Sequence, residues 1–290
     1  MSRTELKIVR DVGSLRRWTE AERAAGRRVA LVPTMGALHE GHLSLVRIAR
    51  ERADSVVVSI FVNPTQFGPG EDFDEYPRDL DGDARALAEE GVDVVFSPPG
   101  AAIYPEGDAT RVRVERLTDG LCGRGRPGHF EGVTTVVARL FNAARPHVAV
   151  FGEKDYQQLA AIRRMARDLL FDIDVVGGPT VREADGLAMS SRNAYLSPAA
   201  RRQATALHDA LCEARRRVAS GETDARNLLD GVRRRIAKEP LAELDYAELR
   251  DAENLESVER IGPASRRAVL ALAVRFEGAR LIDNALLETP

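Results

Sequence analysis

Short apolar runs alternate with longer amphipathic stretches through the first 176 residues of the chain. We expect buried strands at the apolar runs, which lie at 29–33, 55–62, 92–96, 147–151 and 172–176. We expect helices at the amphipathic stretches, which lie at 42–53, 78–90, 131–144 and 154–170. Apolar strands that alternate with helices are typical of a parallel sheet covered by helices on both faces. The sequence therefore predicts an α/β fold.

The pattern changes after about residue 185. Arginine-rich helices and short strands are predicted there, the helices at 198–219 and 223–238 and the strands at 243–250, 267–275 and 279–283. Several of these strands alternate polar and apolar residues, as antiparallel strands do. We therefore expect two domains, a sheet domain over 1–184 and a smaller C-terminal α+β domain over 185–290.

The composition excludes several classes of protein. Hydrophobic residues make up 44% of the 290 residues and charged residues 30%, which rules out a mainly disordered chain. The net charge of −3 gives no overall basic footprint for nucleic acid. The arginine triplets at 215–217 and 233–235 lie among acidic residues and are typical of solvated helix faces. No apolar run reaches the roughly 18 residues that span a membrane. Two distant cysteines and an N-terminus without a signal-peptide core indicate a cytoplasmic protein.

In parallel sheets of this kind ligands bind at the carboxyl ends of the strands, so the loops there hold the candidate site. The loop after the first predicted strand contains Gly36 and Gly41, which allow close backbone approach, and His39 and His42. The helix that follows offers unpaired N–H groups and a positive dipole end, which suit a phosphate. Two alternatives stay open at this point: the histidines ligate a metal ion, or they cap the helix.

Further polar side chains follow other strands. Gln66 comes just after the Asn-Pro that ends the strand at 55–62, and is alternatively an ordinary turn residue. Lys154, one of three lysines, follows the fourth strand, where its compact charge suits a polyphosphate. Gln158 lies one helical turn beyond Lys154 and can face the same cleft. Asp155 either accepts hydrogen bonds from a ribose or caps the helix.

Two other loops contain residue types that bind phosphate. Ser190, Ser191 and Arg192 offer two hydroxyls and a guanidinium, although such tripeptides are also common in exposed loops. The segment 126–132, RPGHFEG, is basic and glycine-rich, and it forms either a mobile flap or a turn.

Five segments, in their order along the chain, resemble one known family. They are VPTMGALHEGH, SIFVNPTQF, RPGHFEGV, FGEKDYQQL and DGLAMSSRN. His39 to His42 is similar to the HxGH signature of the nucleotidylyltransferase superfamily, and Met189 to Arg192 is similar to its KMSKS-type loop. Together the five segments resemble the pantothenate synthetase (pantoate–β-alanine ligase) family. The resemblance runs from about residue 29 to 198 and continues more weakly to the end.

The resemblance implies a Rossmann-like catalytic domain, a C-terminal lid over the site and a ligase reaction in two steps. The carboxylate of (R)-pantoate attacks the α-phosphorus of ATP, which gives pantoyl adenylate and pyrophosphate. The amine of β-alanine then displaces AMP and gives pantothenate, in the biosynthesis of coenzyme A. The resemblance also implies Mg²⁺ with the ATP phosphates and a homodimer. The net charge and the lack of a long apolar run indicate no nucleic-acid or membrane partner.

The resemblance further implies a role for each matching residue. The catalytic residues are His39, His42, Lys154 and Arg192, and His42 matches the usual proton donor. The ATP-binding residues are Met35, Gly36, Ala37, Leu38, His39, Glu40, Gly41, His42, Gly152, Glu153, Lys154, Asp155, Val181, Met189, Ser190, Ser191 and Arg192, with backbone at Val181 meeting the adenine. Gln66 and Gln158 hold pantoate, and Gln66 also lies near β-alanine.

One segment departs from the family pattern. Asp81-Gly82-Asp83 stands where family members tend to carry adjacent acidic residues, so no protein ligand is assigned to Mg²⁺. Two other functions stay open. A nucleotidyltransferase of the same superfamily would release a nucleotide-linked product, and a nucleotide-binding regulatory module would have no turnover.

Overall fold

A computed structural model describes residues 6–263 and 265–289, and its larger sheet has six strands. The strands are β1 Lys7–Val9, β2 Val29–Thr34, β3 Ser55–Ile60, β4 Val94–Phe96, β5 Val148–Gly152 and β6 Asp174–Gly178. Their order across the sheet is β1-β4-β3-β2-β5-β6, and each neighbouring pair is parallel. The predicted parallel α/β architecture is confirmed.

Helices cover both faces of this sheet. The helices in this part of the chain are α1 Val12–Ala24, α2 Glu40–Arg52, α3 Leu80–Glu89, α4 Gly100–Ile103, α5 Cys122–Gly125, α6 His129–Ala144 and α7 Tyr156–Asp168. On one face α1, α6 and α7 bury Leu15, Phe141 and Ile162, and on the other α2 and α3 bury Val46 and Leu87. Alternate residues of the central strands enter the two cores, which explains why those strands are apolar throughout.

The connections of the larger sheet run in opposite directions from its middle. From β2 the chain proceeds outward to β3 and β4, whereas β5 lies on the other side of β2 and leads outward to β6. The carboxyl ends of β2 and β5 therefore border a crevice, where sheets of this kind bind ligands. The loops that carry His39 and Lys154 both leave this edge.

The rest of the chain forms a second, three-stranded antiparallel sheet with its own helices. Its elements are α8 Pro198–Ala204, α9 Ala206–Ala219, α10 Ala225–Ile236, β7 Ala242–Asp251, β8 Arg267–Phe276 and β9 Ala279–Glu288, with β8 in the centre. Leu211, Leu228 and Leu270 lie in the core between these helices and this sheet. Tyr246 of β7 packs in one buried cluster with Phe130 of α6, so the two sheets are in contact through this cluster. The predicted domain boundary at residue 184 stays a prediction. No helix within the described residues is long and apolar enough to cross a bilayer.

Three features differ from the sequence pattern. The predicted elements begin at residue 29 and so do not include β1 or α1, and β1 has only three, largely exposed residues. The helix predicted at 198–219 is two helices that meet at Thr205. β9 extends to Glu288, past the predicted end at 283, because the buried polar residues Asp283 and Asn284 interrupt the apolar pattern of a strand.

Candidate active site

A cavity opens at the crevice between the carboxyl ends of β2 and β5. Its volume is about 250 Å³, and its walls come from the loops after β2, β3, β5 and β6 and from the segment at 189–192. The predicted site residues that line it are Met35, His39, Gly41, His42, Gln66, Gly152, Lys154, Asp155, Gln158, Val181, Met189, Ser190, Ser191 and Arg192. The fold thus brings both predicted substrate-binding glutamines together with the predicted phosphate-binding segments.

Some predicted ATP-binding residues do not line this cavity. They are Gly36, Ala37, Leu38, Glu40 and Glu153. The first three shape the loop behind His39. Glu40 forms an ion pair with Arg47 on the surface of α2, and the Glu153 side chain lies beside Gly177. A role of these residues in ATP binding stays a prediction.

His39 and His42 form a reciprocal capping box at the start of α2. Nδ1 of His39 accepts a hydrogen bond from the N–H of Gly41 at 3.1 Å, and Nδ1 of His42 accepts one from the N–H of His39 at 3.3 Å. Because each Nδ1 is an acceptor, each neutral ring carries its proton on Nε2. Helix capping, one of the open alternatives, is therefore observed, and it leaves the Nε2–H of both rings as donors for a ligand.

Both rings are neutral at physiological pH. Burial, and then the charge of Lys154, lowers the pKa of His39. Burial, and then the charges of His39 and Lys154, lowers the pKa of His42 to about 3. A bound anion would raise these pKa values, because it stabilises the protonated ring. Before a ligand binds, the pair therefore offers two N–H donors in place of two cations.

Asp83, which the sequence analysis did not assign to the site, holds the loop that carries these histidines. Its carboxylate accepts hydrogen bonds from the N–H groups of Ala37 at 3.0 Å and Leu38 at 2.8 Å, and its side chain is buried. Gly36 has a left-handed φ of 85°, and a Cβ there would lie 2.9 Å from the Asp83 carboxylate. Glycine at position 36 is therefore required for this contact. The acidic pair in Asp81-Gly82-Asp83 was the available sequence signal.

The metal alternative for the two histidines finds no support in this geometry. Within the residues that the structure describes, no three His, Cys, Asp or Glu side chains form a cluster suited to a metal ion. Both oxygens of Asp83 already accept backbone hydrogen bonds. Any Mg²⁺ that accompanies a nucleotide would be held mainly by phosphate oxygens and water, as is usual for this ion.

Lys154 is only loosely paired within the cavity wall. Its Nζ lies 4.0 Å from Oδ2 of Asp155, and its side chain is 21% exposed. The Asp155 side chain makes no capping hydrogen bond to α7, so the capping alternative for this residue is not observed. The ammonium of Lys154 is therefore available to an incoming anion.

Gln66 lies in a 3-10 turn, Pro64–Gln66, and is oriented by Asn63. Asn63 is 1% exposed; its Nδ2 donates to Oε1 of Gln66 at 3.1 Å, and its Oδ1 accepts from the hydroxyl of Tyr104 at 2.7 Å. Nε2 of Gln66 remains as a donor and lies 3.1 Å from Sδ of Met35. Asn63 also lines the cavity, and the sequence analysis interpreted it only as the end of a strand.

The segment 126–132 forms a hydrogen-bonded turn into α6 and walls the cavity beside Gln66. Nδ1–H of His129 donates to the carbonyl of Gln66 at 2.7 Å, and Nη1 of Arg126 donates to Nε2 of His129 at 3.0 Å. Burial, and then the charge of Arg126, lowers the pKa of His129 to about 4. Burial opposes the ionisation of Glu71, but its 2.5 Å ion pair with Arg126 outweighs burial and lowers its pKa to about 2.

A segment over residues 67–79, here called the cover segment, contributes Phe67 and Tyr76 to the cavity wall. Two adjacent acidic residues of this segment form ion pairs with arginines of the cavity wall. Glu71 pairs with Arg126, and Asp72 accepts hydrogen bonds from Nε of Arg192 at 3.1 Å and from Nη2 of Arg192 at 2.8 Å. The predicted phosphate-binding guanidinium is therefore engaged by a carboxylate of the chain itself.

Comparison with known proteins decides the family. The sequence profile of pantoate–β-alanine ligase matches residues 7–286. The chain belongs to the pantoate–β-alanine ligase family. It is 55% identical over 279 residues to the pantothenate synthetase of Syntrophotalea carbinolica, covering 96% of this chain and 98% of that one. It is 53% identical over 283 residues to the pantothenate synthetase of Heliobacterium modesticaldum, covering 98% and 100%.

Solved structures of pantoate–β-alanine ligases share the fold. The pantothenate synthetase of Thermus thermophilus matches with a TM-score of 0.89 and 48% identity, over 96% of this chain and 98% of that one. The ligase of Francisella tularensis, solved with β,γ-ATP and β-alanine, matches with a TM-score of 0.76 and 31% identity, over 97% and 98%. The expected family and fold are confirmed, and the protein is an enzyme of this family.

The cavity combines two sets of polar side chains. One set consists of N–H and cationic donors from the histidine pair, Lys154 and the segment at 190–192. The other set consists of the amides of Gln66 and Gln158, and α6 adds apolar walls. The first set suits a polyanion, and the second set suits a small molecule that carries hydroxyl groups.

Proposed function

We propose that the protein condenses (R)-pantoate with β-alanine to pantothenate at the expense of ATP, through a pantoyl adenylate, releasing AMP and pyrophosphate. The observation that carries the proposal is the shared cavity, which is lined by Lys154, the histidine pair, Gln66 and Gln158. Cationic and N–H donors that share one cavity with two side-chain amides fit the transfer of a nucleotide to a small acid. The ATP analogue and β-alanine bound by the Francisella tularensis relative support the same substrates.

In the first step a carboxylate oxygen of pantoate attacks the α-phosphorus, and the bond to pyrophosphate breaks. The carboxylate is already ionised at neutral pH, so no general base is required. The barrier is set by charge, because an anion approaches a polyanion. Lys154 and Arg192 supply positive charge, and the neutral rings of His39 and His42 supply Nε2–H donors, so catalysis consists of positioning and electrostatic stabilisation.

The proposed division of the cavity follows its segments. ATP lies along Met35–His42, Gly152–Asp155 and Met189–Arg192, with the backbone of Val181 at the adenine. Gln66 and Gln158 hold pantoate, and Gln66 also borders the approach of β-alanine. His42, whose pKa is lowered, donates a hydrogen bond from Nε2 and transfers a proton only once phosphate charge has raised that pKa.

In the second step the amine of β-alanine attacks the acyl carbon of the adenylate. The C–N bond forms, the bond between the acyl carbon and the AMP oxygen breaks, and the amine releases a proton. ATP enters as its Mg²⁺ complex. We further propose a cytoplasmic homodimer in which residues 185–290 form a domain that covers the site.

Isotope exchange tests the proposal. Without β-alanine, the protein should exchange labelled pyrophosphate into ATP only when pantoate is present. In the complete reaction, pantoate labelled with ¹⁸O in its carboxylate should deliver one labelled oxygen to AMP, because the bridging oxygen stays on phosphorus. Finding ADP as the product, or no pantoate-dependent exchange, would reject the adenylate pathway. A nucleotide-linked final product would indicate a nucleotidyltransferase, and binding without any turnover would indicate a regulatory module.

A further inference from the structure

Two adjacent polar residues of β9 are buried at the junction between the two sheets. Asp283 is 2% exposed and Asn284 is 9% exposed. Consecutive residues of a strand point to opposite faces, so the two side chains reach different segments. Buried polar groups are costly unless they are hydrogen-bonded, so their partners indicate their role.

Asn284 contacts the turn that carries Lys154. Its Nδ2 donates to the carbonyl oxygens of Glu153 and Lys154, at 2.9 Å each. These carbonyls belong to the 3-10 turn Glu153–Asp155 between β5 and α7. The amide therefore holds the backbone from which the Lys154 ammonium reaches the cavity.

Asp283 contacts the hairpin that leads to Arg192. Its carboxylate accepts two hydrogen bonds from Arg182, at 2.6 Å from Nη1 and 2.9 Å from Nη2. Arg182 pairs with Ala188 across a tight hairpin, and its Nη1 also donates to the carbonyl of Gly186 at 3.1 Å. The outgoing arm of this hairpin continues directly into the segment 190–192, so the ion pair fixes where that segment starts.

We propose that Asp283 and Asn284 are positioning residues that set the spacing between the Lys154 turn and the Ser190–Arg192 segment. The inference rests on the proposed function, in which these two segments bind the phosphates of one ATP molecule. Both segments are tied to consecutive residues of a single strand, so a shift of one relative to the other requires a buried contact to break. A misplacement of about 1 Å can cost about a hundredfold in rate. The C-terminal sheet is thus part of the catalytic scaffold as well as a cover for the site.

Two nearly isosteric variants test the proposal. Asn284→Asp removes both donors and places a carboxylate against two carbonyl oxygens, and Asp283→Asn removes the charge partner of Arg182. We expect kcat of pantoate-dependent pyrophosphate exchange to fall at least tenfold in each, while the Kd of α,β-methylene-ATP rises no more than about threefold. Asp108→Asn is the matched control, because Asp108 also accepts from two arginines, Arg139 at 2.5 Å and Arg111 at 2.6 Å, outside the cavity. This control should lower Tm and leave kcat unchanged.

The pH profile of Asn284→Asp gives a second readout. Protonation of the introduced carboxyl restores one donor, so exchange activity relative to wild type should rise as the pH falls from 8 to 6. A wild-type protein without exchange would reject the proposed function itself. An active wild type with both folded variants within threefold of it would overturn the positioning role. Losses of exchange activity that only parallel the losses of Tm would also overturn it, as would variants that do not fold. Either outcome would show that the two residues contribute to stability alone.

Discussion

The guanidinium of Arg192 is bound by the carboxylate of Asp72, 120 residues away in the sequence, through two hydrogen bonds of 3.1 and 2.8 Å. The two side chains are 30% and 23% exposed, so the ion pair is partly shielded from water. An incoming phosphate must share this guanidinium with Asp72 or displace it. The pair therefore couples the cover segment to the predicted ATP site.

We predict that Asp72→Asn strengthens ATP binding, because it removes the carboxylate that competes for Arg192. A partly exposed ion pair contributes about 1 kcal/mol, so the Kd of an ATP analogue should fall roughly fivefold. Isothermal titration calorimetry measures this. Asp74→Asn, an exposed neutralisation in the same cover segment, is the control and should leave the Kd near the wild-type value. Weaker binding in Asp72→Asn would show instead that the pair closes over the bound nucleotide.

Lys154→Ala should nearly abolish adenylate formation and leave the fold intact. The ammonium is loosely paired and lines the cavity, so under the proposed function its removal takes a charge stabiliser from the transition state. The cost should be about 3 kcal/mol in the barrier, or about a hundredfold in kcat of pyrophosphate exchange. Lys238→Ala removes an exposed lysine at the end of α10 and serves as the control. Turnover near the wild-type rate in Lys154→Ala at saturating ATP would reject the assignment.

Gln66→Ala and Gln158→Ala should raise the KM for pantoate and change the Kd of an ATP analogue much less. A pocket that binds a hydroxy acid by hydrogen bonds loses discrimination when one partner is removed. Steady-state kinetics with pantoate varied, together with ATP-analogue titration, separate the two effects. An equal loss of ATP affinity would show that the glutamines are misassigned.

Gln157, the neighbour of Gln158, provides a contrast within the same turn. Its side chain is buried, accepts from the N–H of Cys122 at 3.0 Å and donates to the carbonyls of Leu117 and Gly120 at 2.9 and 2.8 Å. Gln157→Ala should therefore cost about 1–3 kcal/mol of unfolding free energy, because it leaves buried groups unpaired. Urea denaturation checks this.

Stability should fall as the pH drops below about 6.5. Burial lowers the pKa of His42 to about 3 and that of His129 to about 4, while both titrate near 6.5 in the unfolded chain. Between these values the unfolded state binds more protons, so unfolding free energy rises with pH in this window and is lost as the pH falls. Each histidine should contribute about 1–2 kcal/mol between pH 7.5 and 5.0. Urea unfolding of wild type and His129→Asn, which should show the shallower dependence, tests this; equal slopes would contradict it.

The sequence predicted five of the six strands of the larger sheet and the loops that bound the cavity. The strands at 29–33, 55–62 and 147–151 were found within one to two residues at most ends, because a strand buried on both faces must be apolar throughout. His39 and Lys154 follow two of these strands, so their positions at the carboxyl edge of the sheet followed from the predicted strand ends. β1 was missed because three residues, two of them exposed, are too few to carry such a pattern.

For several residues at the site, the local sequence did not specify which groups they contact. Asp83 and Asn63 are common types in turns, and only the fold shows that Asp83 accepts from Ala37 and Leu38 and that Asn63 orients Gln66. The sequence did not decide whether the segment that contains Arg126 is a mobile flap or a turn, because the pairing of Arg126 with Glu71 spans 55 residues.

By itself the sequence determined the types of the main elements, the family motifs and the loops that border the cavity. These properties depend on residues within one strand or one helical turn, whose spacing is set by the geometry of that element. Tertiary structure alone decided that Arg192 is bound to Asp72, and that Asp283 and Asn284 tie β9 to Arg182 and to the Lys154 turn. Each of these contacts joins segments more than 100 residues apart, and hydrophobic periodicity within one segment does not specify which distant partner it meets when the sheets pack.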